Sequence, residues 1–212
     1  RAEKLSGKIA TRLGNGLAPL EPGETDTVII AGMGGDLICK ILKAKPEFLI
    51  EGKEFILQPQ SEWFKVRRLL KEYHYQIEKE WFLKEDGKYY VIIKAEPTWT
   101  QPQRLKHQQP SIHEYIKEIS DTQVNQAVSE KDMESIYEQY GKYLIETKNP
   151  VLKEYLKKEI TKKESIAAEL KQSIKEMESE ELSGKERGNI AKRQRRYQEI
   201  QKEIRDMRKA IG

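Results

Sequence analysis

Apolar positions come first in one short run. Thr27-Val-Ile-Ile30 is β-branched throughout, the pattern of a strand buried on both faces of a parallel sheet. The run stops at a turn, Gly32-Met-Gly-Gly35, and Leu37, Ile38, Ile41 and Leu42 then recur at helical spacing to about Ala44. Strand, glycine turn and helix make half of a βαβ unit, in which ligands sit at the carboxyl ends of the strands. Glu54-Phe-Ile-Leu-Gln-Pro59 repeats the arrangement. Ser61 follows as an N-cap for a helix to about Tyr73, with Trp63, Val66, Leu69 and Leu70 on its inner face. Residues 8–13 read as a preceding strand, closed by the tight turn Gly14-Asn15-Gly16.

Two further β-rich runs, 75–83 and 89–96, flank Asp86-Gly87, a hairpin signal. From Pro97 to about Gln109 the chain is rich in Gln, Pro and Thr without periodicity, which marks a domain boundary; a helix is expected over 111–119. Beyond Asn149-Pro150 the period changes. Leu156, Ile160, Ala167, Leu170, Ile174 and Met177 recur near heptad spacing, and Ile190, Tyr197, Ile200, Ile204, Met207 and Ile211 do so after a break at Leu182-Ser-Gly-Lys185. Two such helices predict an antiparallel hairpin of coiled-coil type. Lys163 and Arg193 interrupt the seam, so the pair is expected to be short.

Composition narrows the classes. Charged residues make up 35% of the 212 residues and hydrophobic ones 37%, so part of the chain should be extended and solvated. The net charge of +4 hints at an anionic partner. The one cysteine, Cys39, excludes an internal disulfide framework and fits a reducing, cytoplasmic setting. No apolar run approaches the roughly 20 residues of a membrane span. His74, His107 and His113 are scattered without ligand spacing, so no metal is expected. Cys39 reads better as a small buried residue than as a nucleophile.

The remaining chemistry lies at strand ends. Glycines there let a ligand approach the backbone, and the helix that follows offers unpaired N–H groups. The turn has neither GxGxxG spacing nor the Lys-Ser/Thr of a phosphate loop. Asn15 could read an adenine edge. Gln58-Pro59-Gln60 ends a third strand in polar amides. In the last helix Lys192-Arg193-Gln194-Arg195-Arg196 contains no acid, which points to phosphate contacts rather than to a self-neutralised face.

Taken together the chain resembles the bacterial tRNA (adenine(22)-N(1))-methyltransferase family. The matching segments are Arg12-Leu-Gly-Asn-Gly-Leu17, Ile30-Ala-Gly-Met-Gly-Gly35, Ile56-Leu-Gln-Pro59, Glu85-Asp-Gly-Lys88, Tyr140-Gly-Lys-Tyr-Leu144 and Asn149-Pro-Val-Leu152. The resemblance implies an α/β fold: a partial Rossmann-like methyltransferase sheet ending in an antiparallel hairpin, then an α-helical, coiled-coil-like C-terminal domain. The corresponding division is 1–97, a connecting segment 98–135, and 136–212 for tRNA binding. It further implies S-adenosylmethionine as cofactor and tRNA as partner, with direct methyl transfer to adenine N(1) and no named catalytic base.

By resemblance, Gly14, Asn15 and Gly16 lie by the cofactor's adenine, Asn15 standing where the family usually has Asp. Ala31, Gly32 and Met33 line the floor between cofactor and base. Gly34 and Gly35 shape the turn on the substrate side with Gln58 and Pro59, and Lys192, Arg193, Arg195 and Arg196 face RNA. The family's first two strands and cofactor loop are expected to precede Arg1, which would leave the Thr27–Ile30 strand with an open apolar edge. On that expectation this stretch alone is a truncated form that holds S-adenosylmethionine weakly. The alternative is a non-catalytic RNA-binding protein on a decayed methyltransferase sheet. A nucleotide-dependent oxidoreductase is disfavoured by the absent fingerprint and the terminal hairpin.

Overall fold

The computed structural model describes residues 8–98, 128–178 and 184–212. In chain order they form β1 (Thr27–Met33), α1 (Gly35–Ala44), α2 (Pro46–Ile50), β2 (Glu54–Pro59), α3 (Trp63–Glu72), β3 (Tyr75–Glu85), β4 (Lys88–Pro97), α4 (Val128–Tyr140), α5 (Lys142–Glu146), α6 (Pro150–Glu178) and α7 (Gly184–Ile211). The helix expected over 111–119 lies outside the described residues. The chain divides into two compact units. One is built from residues up to Glu80 and resumes at Val91; the other takes Trp81–Tyr90 and the C-terminal helices.

The sheet of the first unit runs β1-β2-β4-β3. β1 and β2 are parallel, with Val28 beside Phe55 and Ile30 beside Leu57. β2 and β4 are antiparallel, with Phe55 opposite Ala95 and Leu57 opposite Ile93. These six side chains are buried and lie on one face of the sheet. α1 packs on β1, β2 and α3 and adds the fully buried Ile38 and Leu42, while α3 adds Val66, Leu69 and Leu70. Asp86 and Gly87 both have positive φ, at 46° and 76°, the backbone of a tight two-residue hairpin.

Two expectations fail here. Residues 8–13 form no strand: only Ile9 makes an isolated bridge, and Leu13 is fully exposed. β1 is buried on one face only, since Ile29 is 67% exposed while Val28 and Ile30 are covered. An apolar run reports that a strand can be buried on both sides; whether both are covered depends on what packs there.

One charged pair enters this core. Arg67 on α3 donates from Nε to Glu80 Oε1 at 2.7 Å, with side-chain exposures of 3% and 0%. Burial pushes the Glu80 carboxyl up from its ordinary value, with Arg67 pulling against it. Glu80 Oε2 is buried without a hydrogen-bond partner. Such a pair is dispensable as a unit but costly to break.

In the second unit α6 and α7 pack antiparallel, as their cross-links show: Arg193 reaches Ser173, Lys163 reaches Glu203, and Arg208 reaches Glu164. Asn149 caps α6, its Oδ1 accepting from the Val151 and Leu152 amides at 3.0 Å, with Pro150 at the first helical position. The buried seam takes Leu156, Ile160, Ala167, Ile190, Ile200, Ile204 and Met207 from the expected set. The pair is not short. The helices hold 29 and 28 residues, or about 44 and 42 Å at about 1.5 Å per residue. Lys163 and Arg193 do not break the seam, because each turns its charged end onto a polar group of the facing helix. The hairpin tip docks on α6 through the rings of Phe82, Tyr89 and Tyr155, and through Glu154, which binds Lys84 Nζ at 2.7 Å and the Tyr89 hydroxyl at 3.1 Å.

Arg67→Ala should cost about 3–5 kcal/mol by leaving Glu80 buried and unpaired, whereas Arg67→Met with Glu80→Leu should recover most of the loss. Urea unfolding of the three proteins checks this. An equal loss in the double variant would show that the pair itself, and not its completeness, supplies the stability.

Candidate functional site

Among the described residues two strand ends meet at the rim of the sheet, those of β1 and β2, since 8–13 is not a strand. β1 does not stop at the glycines. It continues to Met33 through a bulge: Ala31 faces Gln58, Met33 faces Pro59, and Gly32 is the extra residue between them. Gly32 has φ +78°, which favours glycine, and a Cβ there would meet nothing within 4 Å. Its N–H is turned out of the ladder and donates to the Gln58 side-chain carbonyl at 2.8 Å. The other end of that amide, Gln58 Nε2, is buried with no hydrogen-bond partner. Ala31, Gly32 and Met33 are exposed. The rim therefore presents open backbone beside a donor that still lacks an acceptor.

Gly35 fixes the next turn. A Cβ on it would lie 2.6 Å from the Glu62 carbonyl and 2.7 Å from that of Ser61, so only glycine admits the contact. Through it the Gly35 N–H donates to Ser61 O at 2.9 Å, and the Gln60 N–H returns to Met33 O at 2.8 Å. Ser61 is thus not the N-cap that its position predicts. It supplies its carbonyl, and Glu62 caps α3 in a left-handed backbone, φ 52° and ψ 42°, without a side-chain hydrogen bond to the helix. A non-glycine residue held there is strained.

The Glu62 carboxylate has another use, which sequence reasoning missed. Its Oε2 accepts from the Asp36 N–H at 3.3 Å. The first amides of α1 are therefore taken, Gly35 by Ser61 and Asp36 by Glu62, and are not the unpaired N–H groups expected there. Lys65 bridges Asp36 at 2.9 Å and Glu62 at 3.1 Å, and Lys40 adds a second contact to Asp36 at 2.8 Å. These lysines lower the Asp36 carboxyl from 3.8 to about 2, and Lys65 first among causes lowers that of Glu62. The spacings of Glu62 with Lys65 and of Asp36 with Lys40, each about one helical turn, are the traces of this cluster in the sequence.

Gly14, Asn15 and Gly16 lie in an exposed loop. A Cβ at Gly16, φ +57°, would strike Ile41 at 2.8 Å, so the loop rests on the middle of α1. Arg12 clamps it, bonding Glu24 twice at 2.6 and 2.7 Å and Pro19 O at 3.1 Å. Among the described residues no hydrogen bond joins this loop to Ala31–Gly35. Cys39 is half-buried, and burial raises its thiol pKa, which suits packing rather than catalysis.

The basic run of α7 divides. Arg196 pairs with Glu199 at 3.1 Å and Glu203 at 3.4 Å, and Arg193 turns back to Ser173 and Met177. Lys192 and Arg195 are exposed and in no ion pair among the described residues. They stand three apart, on one helix face.

Comparison with known proteins places this geometry. Residues 1–139 match the sequence profile of the tRNA (adenine(22)-N(1))-methyltransferase family. A Bacillus subtilis protein of that description is 33% identical over 153 residues, covering 57% of this chain; the chain spans 63% of that relative's length. The crystal structure of the B. subtilis m1A22 tRNA methyltransferase superposes with a TM-score of 0.65 at 24% identity, over 98% of this chain and 72% of that one. A candidate tRNA (m1A22) methyltransferase of Streptococcus pneumoniae, solved with S-adenosyl-L-methionine, gives 0.55 at 22% identity, over 95% and 67%. At these identities the structures speak for the fold, and they bear out the Rossmann-like α/β sheet followed by a helical region.

Because the Asp36 carboxyl is held below its unfolded value, its contribution is present above about 3.8 and lost as pH falls toward about 2. Urea midpoints should therefore drop across that window, and Asp36→Asn should flatten the drop. An unchanged profile would mean that the lysines hold Asp36 only loosely in solution.

Proposed function

The chain belongs to the tRNA (adenine(22)-N(1))-methyltransferase family, and from that premise we propose that it methylates N(1) of adenine 22 in tRNA with S-adenosylmethionine as donor. The observation that carries the reading is the bulged end of β1: exposed backbone at Ala31–Met33 beside the unmet donor of Gln58.

The residues of the rim fit this cofactor better than a nucleotide with phosphates. The α1 amides nearest the rim are occupied, and the groups around them are the Asp36 and Glu62 carboxylates with Lys65 and Lys40 already committed to them. That environment disfavours phosphate and tolerates a sulfonium. S-adenosylmethionine, when bound, supplies an electrophilic methyl group. Adenine N(1) already carries a lone pair, so the protein's task is alignment and exclusion of water rather than proton removal. Ala31, Gly32 and Met33 would form the floor between cofactor and base, with Gly34, Gly35, Gln58 and Pro59 on the base side. Gln58 would hold the turned-out nucleoside through Nε2, its carbonyl being committed to Gly32. The Gly14–Gly16 loop, kept in shape by Arg12 and Glu24, would meet the cofactor's adenine. For RNA, Lys192 and Arg195 would contact phosphates first, Arg193 and Arg196 having internal partners to leave.

Methyl transfer to a tRNA transcript, read as a primer-extension stop at adenine 22, tests the proposal. Gln58→Ala should lower kcat/KM by about 10–100-fold, as removal of one buried hydrogen bond to substrate would. Tight tRNA binding without methylation at adenine 22 would instead favour the non-catalytic RNA-binding reading. Lys192→Glu with Arg195→Glu should weaken tRNA binding and reduce the slope of log affinity against log salt by about one for each phosphate that is no longer neutralised. Equal affinity and slope would remove this face from the RNA interface.

A further inference from the structure

The helical unit holds a cavity of about 340 Å³ between α4, α6 and α7, built from residues of all three. Its polar walls include Tyr140, Tyr155, Glu159, Lys163, Glu203 and Asp206, beside Ser135 and Gln139 of α4. Two of the charges cancel: Lys163 pairs with Glu203, which also receives Arg196. Glu159 and Asp206 are half-buried and have neither an ion pair nor a hydrogen bond among the described residues. Tyr140 is only 9% exposed, yet its hydroxyl has no hydrogen-bond partner there and lines the same cavity. Burial, and then the negative charge of Asp206 and Glu203, raise the pKa of that hydroxyl, so it stays neutral and able to donate or accept.

Unpaired acid inside a chain with net charge +4 is costly unless something complements it. The remaining walls select what can. Ile136, Leu156 and Met207 line the cavity with apolar surface, which suits methylene groups. The described residues include no group of three or more His, Cys, Asp and Glu able to hold a metal ion, so a bare divalent ion has too few ligands here. The volume is at the small end of the roughly 300–1,000 Å³ typical of ligand sites.

We infer that this cavity binds an aliphatic di- or polyamine, with ammonium groups on Glu159 and Asp206, the Tyr140 hydroxyl completing one of them, and the methylene chain against Ile136, Leu156 and Met207. An ammonium brings three donors, and the unmet oxygens of these three side chains match them. The site lies within the helical unit and is independent of the methyl-transfer reading.

Calorimetric titration of the RNA-free protein with spermidine and with putrescine tests it. Saturable binding of one amine per chain is expected. It should weaken at least tenfold in Glu159→Gln and in Asp206→Asn, and severalfold in Tyr140→Phe. Glu169→Gln, exposed on α6 away from the cavity, should bind as the parent does. The amine should raise the melting temperature of the parent and not of the Asp206→Asn variant, which separates impaired binding from impaired folding. Non-saturable binding, equal binding by Asp206→Asn, or equal competition by magnesium would overturn the inference. So would binding of a lysine-rich peptide without binding of either amine, which would make the cavity a protein-docking site.

Discussion

The candidate site depends on one close approach, that of Gly35 to the Ser61 and Glu62 carbonyls. With no Cβ in the way, the first turn of α1 settles onto the β2–α3 connection, and two backbone hydrogen bonds tie the ends of neighbouring strands together. The rest follows from that distance. Glu62 is brought into a left-handed backbone, where its carboxylate reaches the Asp36 amide. Lys65 then falls between two acids, and the rim becomes a neutralised acidic cluster rather than an anion cradle. A larger residue at Gly35 would move all of these groups together.

The adjacent bulge gives the rim its opening. A regular β1 would commit the Gly32 N–H to the ladder. The extra residue releases it to Gln58, and that side chain is thereby held with its carbonyl satisfied and its NH2 unmet. A buried donor without an acceptor costs on the order of 1–3 kcal/mol, so it persists at a place where something else benefits. A ligand acceptor seated over the strand end would meet that donor, as the proposed function requires.

The sequence made part of this legible. The β1–α1–β2–α3 order, the Asp86-Gly87 hairpin and the heptad seam are local patterns, and each formed. Residues 8–13 misled because a short stretch before a tight turn does not by itself supply a neighbouring strand to pair with. Ser61 misled because cap preference is weak beside a tertiary demand: its carbonyl was needed by Gly35. The role of Glu62 had no local signature, since its strained backbone is imposed by a helix that begins 27 residues before it (Gly35 to Glu62). Lys163 and Arg193 looked like seam breakers because a one-dimensional pattern cannot show where a long side chain ends. Lys163 is half-buried with its charge at the seam's border, as long amphipathic side chains are, and the exposed Arg193 reaches across to Ser173 and Met177.

The same principle sorts the charges of the helical hairpin into two populations that composition blends into a small net value. Arg196 is placed one turn from Glu199 and two from Glu203, so its charge is largely compensated within α7. Lys192 and Arg195 stand two turns and one turn before Glu199, but that carboxylate goes to Arg196, and they remain exposed and in no ion pair among the described residues. Glu159 and Asp206 are their converse: half-buried acids whose lysine neighbours at helical spacing pair elsewhere, Lys163 with Glu203 and Lys209 with Asp132, lining a cavity that also holds an unpartnered tyrosine hydroxyl. An exposed cationic pair and a half-buried acidic pair cannot serve one partner. An RNA backbone would be drawn to the first and repelled by the second, and an amine the reverse. The two faces of the hairpin therefore call for two ligands of opposite charge.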